Sequence, residues 1–266
     1  MNFTDEQRHR YARHFVLSEL GEEGQAKLLN GRVLVIGAGA IGGVALMYLA
    51  AAGVGTIGIA DYDDVDLSNL QRQIIHRMDK IGTPKLLSAQ DTIRSINPDT
   101  NIILHNSKVT VDNIMDLLSD YDFVLDCTDR IETKFLINDA CVLAEKPYCH
   151  AGVVRFGGQV MTYVPSQGPC LRCLLEDVPS PEDSPLCAQV GVLGSVTGII
   201  GSIQATEAIK YLTASGELLT GRILNVDALS MEFRTTKIPH SAPDCKICGS
   251  MPTIVNLSDN RSEYER

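Results

Sequence analysis

The stretch RVLVIGAGAIGGVALMYLAAAGVGTIGIADYDDV, beginning at Arg32, constrains the fold more than any other part of the chain. It reads as an apolar run, a glycine turn, an Ala-rich helix and a second apolar run ending at Asp61, which is a βαβ unit with strands buried on both faces. Strand candidates at Asn101–His105 and Phe123–Asp126 alternate with helical stretches at 85–95 and 134–144. That alternation predicts an α/β fold with a mostly parallel sheet. Beyond residue 150 the pattern changes to 159–164 and Arg222–Asp227 around a long helical segment at 198–212, so antiparallel strands are expected to extend the sheet.

Residues 4–30 alternate charged and apolar positions at helical spacing, with Thr4 and Asp5 as capping candidates, and predict an arm of one or two amphipathic helices. At 266 residues and 44% hydrophobic composition the chain can bury a sizeable core, as one large α/β domain or two small ones. A net charge of −10 argues against a nucleic-acid partner, because phosphate backbones are held by surplus Lys and Arg. The N-terminal thirty residues carry no secretory pattern, and no apolar run is long enough to span a bilayer, so a cytoplasmic protein without a membrane partner is expected. The proline-rich segment DVPSPEDSPLC predicts a mobile loop, and the polar end from Thr253 a flexible tail.

Gly37, Gly39 and Gly42 form G-x-G-x-x-G after a strand and at the opening of a helix, a Rossmann-like arrangement in which backbone N–H groups and the helix dipole face a phosphate. Asp61 ends the next strand, where an acidic side chain can accept from ribose hydroxyls. The segment that follows offers Asn69, Arg72, Gln73 and Lys85. A dehydrogenase leaves the pyrophosphate of its cofactor to the glycine turn, whereas a triphosphate calls for Arg and Lys clamps, so these cations favour ATP over NAD. In VLDCTDR a strand runs out at Asp126 and places Asp129 at its carboxyl end, as a carboxylate for Mg²⁺ or as the cap of the next helix.

The chain has eight cysteines, and in a reducing compartment these serve metal or chemistry. Cys170 and Cys173 in PCLRC, with Cys245 and Cys248 in DCKICG, form two C-x-x-C knuckles suited to one tetrahedral structural Zn²⁺; a redox pair is the alternative for either. Cys127, Cys141 and Cys149 lie in strand or helix patterns and read as core residues. Cys187 follows the proline-rich loop and precedes a helix start, where a thiolate can be stabilised or an ordinary loop thiol can sit. The six histidines give no ligand spacing.

The glycine motif with Asp61, then SNLQRQ, the Lys of TPK, DCTD and two C-x-x-C pairs, in this order, resemble the ThiF/MoeB/HesA family of E1-like enzymes that adenylate sulfur-carrier proteins. The resemblance runs from about Arg10 to Gly249. It implies a single E1-like domain over 1–266: a helical arm at 1–30, a nucleotide-binding half at 31–150, a carrier-binding half with the zinc knuckles at 151–252, and a tail at 253–266. It further implies that Asp61 holds the ribose of ATP, that Arg72 and Lys85 hold its phosphates with Asn69 and Gln73 completing the wall, and that Asp129 binds Mg²⁺. Arg13 resembles an arginine that reaches the ATP site of the other subunit in a homodimer, and Cys187 a cysteine that can join covalently to the carrier during sulfur transfer.

The implied reaction is attack of the C-terminal Gly-Gly carboxylate of a ubiquitin-like, ThiS- or MoaD-like carrier on the α-phosphorus of ATP. The product is activated for thiocarboxylate formation in thiamine or molybdopterin biosynthesis. No rhodanese-like stretch follows Gly249, so a separate sulfur donor is expected. Two departures stand out: Arg130 follows Asp129 where the family often has Asn, and the glycine motif reads GAGAIG. An NAD-dependent dehydrogenase and a non-catalytic zinc-stabilised scaffold are the alternative readings. The first leaves Arg72, Lys85 and Asp129 unexplained.

Overall fold

Val33 and Val35 of strand β1 (Arg32–Ile36) enter one hydrophobic core, and Leu34 and Ile36 enter another, so the apolar run seen in the sequence is a strand covered on both faces. The computed structural model describes residues 2–180, 190–238 and 242–265. Its sheet has eight strands in the order β3-β2-β1-β4-β5-β6-β7-β8. β2 (Thr56–Ala60), β3 (Asn101–His105), β4 (Phe123–Asp126) and β5 (Tyr148–Val154) continue the parallel part. β6 (Gly157–Tyr163), β7 (Arg222–Asp227) and β8 (Glu232–Lys237) add the expected antiparallel extension.

The arm contains three short helices rather than one or two: α1 (Asp5–Arg10), α2 (Ala12–Phe15) and α3 (Gly21–Asn30). Thr4 caps α1 through a reciprocal pair of bonds with Gln7, as its sequence allows. The buried Tyr11 receives a hydrogen bond from Asn97 Nδ2, which also donates to the carbonyl of Ala50, and this ties the arm to the βαβ unit.

On one face of the sheet lie α4 (Ala40–Ala52), α5 (Lys85–Ile96) and the long α8 (Gly194–Thr213). α4 and α8 cross closely at Gly201, where a Cβ would meet the carbonyl oxygen of Ile41 at 2.5 Å. The other face carries α6 (Ile114–Ser119), α7 (Ile131–Leu143) and the cysteine-bearing turn after Gly168. Among the described residues no helix is long and apolar enough to cross a membrane.

The polar C-terminal segment departs from the loose tail that its composition suggests. Ile254, Leu257 and Tyr264 are buried in the second core, Tyr264 from the one-turn helix α9 (Arg261–Tyr264). The anchor is Asp139, whose carboxylate accepts from Arg172 Nε and Nη2 at 2.9 and 2.7 Å, from Tyr264 Oη at 2.6 Å and from Asn138 Nδ2 at 2.7 Å. Arg172 also pairs with Glu263 at 2.9 Å. Both side chains of the Arg172–Asp139 pair are at 0% exposure, so losing one partner strands a charge. Arg172→Met should therefore cost about 3–5 kcal/mol, and the double change with Asp139→Asn should recover part of it. Urea denaturation of the three variants checks this; an unchanged midpoint for Arg172→Met would remove the pair from the fold's foundations.

Candidate functional site

At the carboxyl edge of the sheet the chain leaves β1 to build β2 and β3 on one side, then returns to place β4 on the other, which opens a crevice at the switch point. A cavity of about 660 Å³ occupies it. Gly37 turns there with φ +98°, and a Cβ would meet the carbonyl oxygen of Cys127 at 2.9 Å. Gly39 caps α4 and faces the cavity, with Gln73 Nε2 at 3.7 Å as the nearest atom to a built Cβ. Gly42 does not line the cavity. A Cβ on it would lie 1.8 Å from the carbonyl oxygen of Gly37, so its task is to let α4 sit close against the turn.

Asp61, Arg72, Gln73, Lys85 and Asp129 all line the cavity. Asp61 accepts from the N–H of Ala38 at 2.7 Å and of Asp63 at 2.9 Å, and keeps lone pairs for further donors. Lys85, the first residue of α5, is buried and pairs with Asp63 at 2.7 Å, which leaves two of its three N–H donors for a ligand. Arg72 Nη1 donates to the carbonyl of Ser68 at 3.0 Å, so its guanidinium is held at the wall. The buried Gln73 has an Oε1 with no hydrogen-bond partner, the signature of an amide that waits for a ligand or water. Asp129 is exposed at the cavity mouth and caps nothing: α7 begins after Arg130 with no side-chain cap.

Three predicted residues do not join these. Asn69 does not line the cavity, and its Oδ1 accepts from the N–H of Asp66 in a capping box. Arg13 lies exposed on α2, away from the cavity of its own chain. Cys187 and most of the proline-rich loop lie outside the described residues.

The four knuckle cysteines come together, their sulfurs all within 4.8 Å of one another. Neighbouring Sγ separations are 3.9, 3.7 and 3.4 Å. Four sulfurs at the ~2.3 Å bond length of a thiolate–zinc site stand about 3.8 Å apart at the corners of a tetrahedron, so the cluster has the size of a single such ion. Cys127, Cys141 and Cys149 are buried core residues as expected, and desolvation pushes each thiol well above its ordinary range.

Sequence reasoning missed a polar cluster on the cavity wall. Asp126, at 0% exposure, accepts from Lys134 Nζ and His150 Nδ1, both at 3.0 Å. Burial opposes its ionisation, yet Lys134 and then His150 hold the carboxyl well below the usual range. His150 was one of the scattered histidines, and only the pairing of β5 with β4 brings it beside Asp126.

Desolvation lowers the pKa of His150, and also of His76, whose ring bonds Ser88 Oγ and the carbonyl of Ala38. Below the ordinary histidine value of about 6.5 the unfolded chain takes up protons that the folded one refuses, so stability falls with falling pH by up to about 1.4 kcal/mol per unit for each ring. Melting curves between pH 7.5 and 5 should slope accordingly. His150→Gln should flatten them in part, and an unchanged slope in that variant would mean that His150 takes up its proton alike in the folded and unfolded chain.

Residues 11–247 match the ThiF family. The chain is 42% identical over 250 residues to the adenylyltransferase and sulfurtransferase MOCS3 of Culex quinquefasciatus, covering 94% of this chain and 57% of that protein. It thus spans little more than half the length of such relatives. It is 45% identical over 241 residues to the SAMP-activating enzyme E1 of Haloferax volcanii, covering 90% of this chain and 88% of that protein. Among solved structures, E. coli MccB superposes with a TM-score of 0.80 over 94% of this chain and 75% of its own at 21% identity, a likeness of fold. By the span of its match and by these identities, the chain belongs to the ThiF family.

Proposed function

We propose that this chain adenylates the C-terminal carboxylate of a ubiquitin-like sulfur-carrier protein, using ATP. The observation that carries the reading is one cavity in which the glycine turn, two cations and a free-standing carboxylate face each other. Gly37 and Gly39 let the turn approach the phosphates closely, Asp61 accepts from the ribose, and Arg72 and Lys85 neutralise phosphate charge. The cavity also reaches Val154 at the end of β5 and Gln159 and Asn225 of the antiparallel strands, which leaves room for an extended peptide tail.

Attack of the carrier's carboxylate on the α-phosphorus needs no covalent help from protein, so in-line placement and charge neutralisation account for the catalysis. Asp129 suits Mg²⁺, a hard ion that prefers carboxylate oxygen and, when bound, screens triphosphate charge. Relatives named as an adenylyltransferase and as an activating E1 support the reading, as does a crystal structure of MccB described as holding ATP.

The exposed Arg13 serves the second subunit of a homodimer in this reading, which explains its distance from its own cavity. Cys187, with a separate sulfur donor, belongs to the later conversion to a thiocarboxylate that feeds thiamine or molybdopterin synthesis in the cytoplasm. A nicotinamide dehydrogenase is disfavoured because Lys85, Arg72 and Asp129 would stand idle in it.

Asp129→Ala should lower carrier-dependent ATP–pyrophosphate exchange at least about a hundredfold without unfolding the protein. Arg13→Ala should be inactive alone and regain part of its activity when subunits are exchanged with Asp129→Ala. Full exchange by a folded Asp129→Ala protein would refute the metal assignment, and failure to complement after verified subunit exchange would return Arg13 to its own chain.

The knuckle cysteines we assign to one structural Zn²⁺ that ties the C-terminal segment to the turn after Gly168. Elemental analysis should give one zinc per chain, and chelation should lower the melting temperature reversibly. A metal-free protein with the same melting curve would overturn the assignment.

A further inference from the structure

Asp126 ends β4, and four donors converge on its carboxylate. Oδ1 accepts from the backbone N–H of Thr128 at 3.1 Å and from Thr128 Oγ1 at 2.7 Å. Oδ2 accepts from Lys134 Nζ and His150 Nδ1, each at 3.0 Å. Lys134 donates a second bond to the carbonyl of Ala151 at 2.6 Å. The backbone carbonyl of Asp126 is held in turn by Gln204 Nε2 of α8, which also donates to the carbonyl of Cys149 at 2.9 Å. One buried carboxylate therefore joins the loop 127–129, the first turn of α7 and the first half of β5.

An ion pair at this depth is costly to bury and is an uneconomical way of holding a sheet together, since apolar packing would serve as well. What distinguishes its position is its surroundings. Thr128, Lys134 and His150 all line the nucleotide cavity, and Asp129 follows Thr128 directly. Loops that enter a helix are commonly fixed by a side-chain cap, but α7 has none. The conformation of Thr128, and with it the departure point of Asp129, is set instead by the two bonds to Asp126.

We infer that Asp126, braced by Lys134 and His150, is a positioning residue that presets the Asp129 carboxylate at the cavity mouth for a divalent metal–nucleotide complex. The inference rests on the nucleotide reading proposed above. Asp126 touches neither nucleotide nor metal in this arrangement; it acts through Thr128. Groups that orient a metal-binding carboxylate typically govern metal affinity by about 10–100-fold.

The test measures binding of a non-hydrolysable ATP analogue by calorimetry across a Mg²⁺ titration, alongside melting temperature and carrier-dependent pyrophosphate exchange. In Asp126→Asn and Lys134→Met proteins that remain folded, affinity for the analogue without Mg²⁺ should stay near the wild-type value. The Mg²⁺ concentration for half-maximal enhancement should rise about 10–100-fold. Thr128→Val, which deletes only the hydroxyl bond at the half-buried loop, should shift it in the same direction and carries the test if the buried variants do not fold.

An unchanged Mg²⁺ requirement in folded variants would overturn the inference, as would an equal loss of affinity with and without Mg²⁺, which marks a merely structural role. If wild-type protein binds the Mg²⁺–analogue complex but exchanges no pyrophosphate, the adenylation reading fails while the calorimetry still decides this one. If it binds no nucleotide at all, both fall.

Discussion

The backbone of Gly37 and the first turn of α4 approach so closely that a Cβ on Gly42 would lie 1.8 Å from the Gly37 carbonyl oxygen. Everything at the carboxyl edge of the sheet depends on that contact. With any side chain at position 42, α4 would stand off from β1 and the turn would lose its close fit at the crevice. Gly37 is fixed from the other side as well, because a side chain there would strike the carbonyl of Cys127, just beyond β4. The glycine turn is thereby wedged between α4 and the residues following β4, which are held at a set distance from those following β1. That spacing is what lets Asp61 and Asp129 share one cavity.

Polar groups buried away from the cavity follow a different logic. Asp139 and Arg172 sit at zero exposure with their hydrogen-bonding capacity used by Tyr264, Asn138 and Glu263. The residues flanking Arg172 in its knuckle are Leu171, whose N–H donates to Asn138 Oδ1, and Cys173 of the metal-sized cluster. The cysteine cluster, α7 and the C-terminal segment are therefore coupled, since displacing the segment would uncover a charge beside the knuckle. α7 starts next to Asp129, so its far end and its near end are each held by a buried acid, Asp139 in one case and Asp126 in the other.

Local signals were legible wherever one periodicity governed a whole element. β1, β2, β3, β4 and β7 are continuous apolar or alternating runs, and their strands fall where the sequence places them. The knuckles were legible because two sulfurs three residues apart can bind together from a turn. β8 was not, since EFRTTK is exposed along its whole length and leaves no burial pattern. The C-terminal segment reads as polar because its anchoring charges, Arg261 and Glu263, find partners in Asp112 and Arg172 that only the fold brings near. Asn69 carries the chemistry of a phosphate contact and also that of a cap, and in the structure its Oδ1 joins a capping box.

Net charge and local charge also separate here. The chain carries −10 overall, yet Lys85, Lys108, Arg72, Arg130 and Lys134 all line one cavity. Lys85 is paired with Asp63 of the wall and Lys134 with Asp126 buried behind it, so neither lysine's charge is left uncompensated. An arriving anion need not displace the buried Asp126–Lys134 pair, but it competes directly with Asp63, which is half exposed, for Lys85. Of the two lysines, then, Lys85 is poised to answer to an arriving anion and Lys134 to the protein, a division that follows from which aspartate solvent can reach.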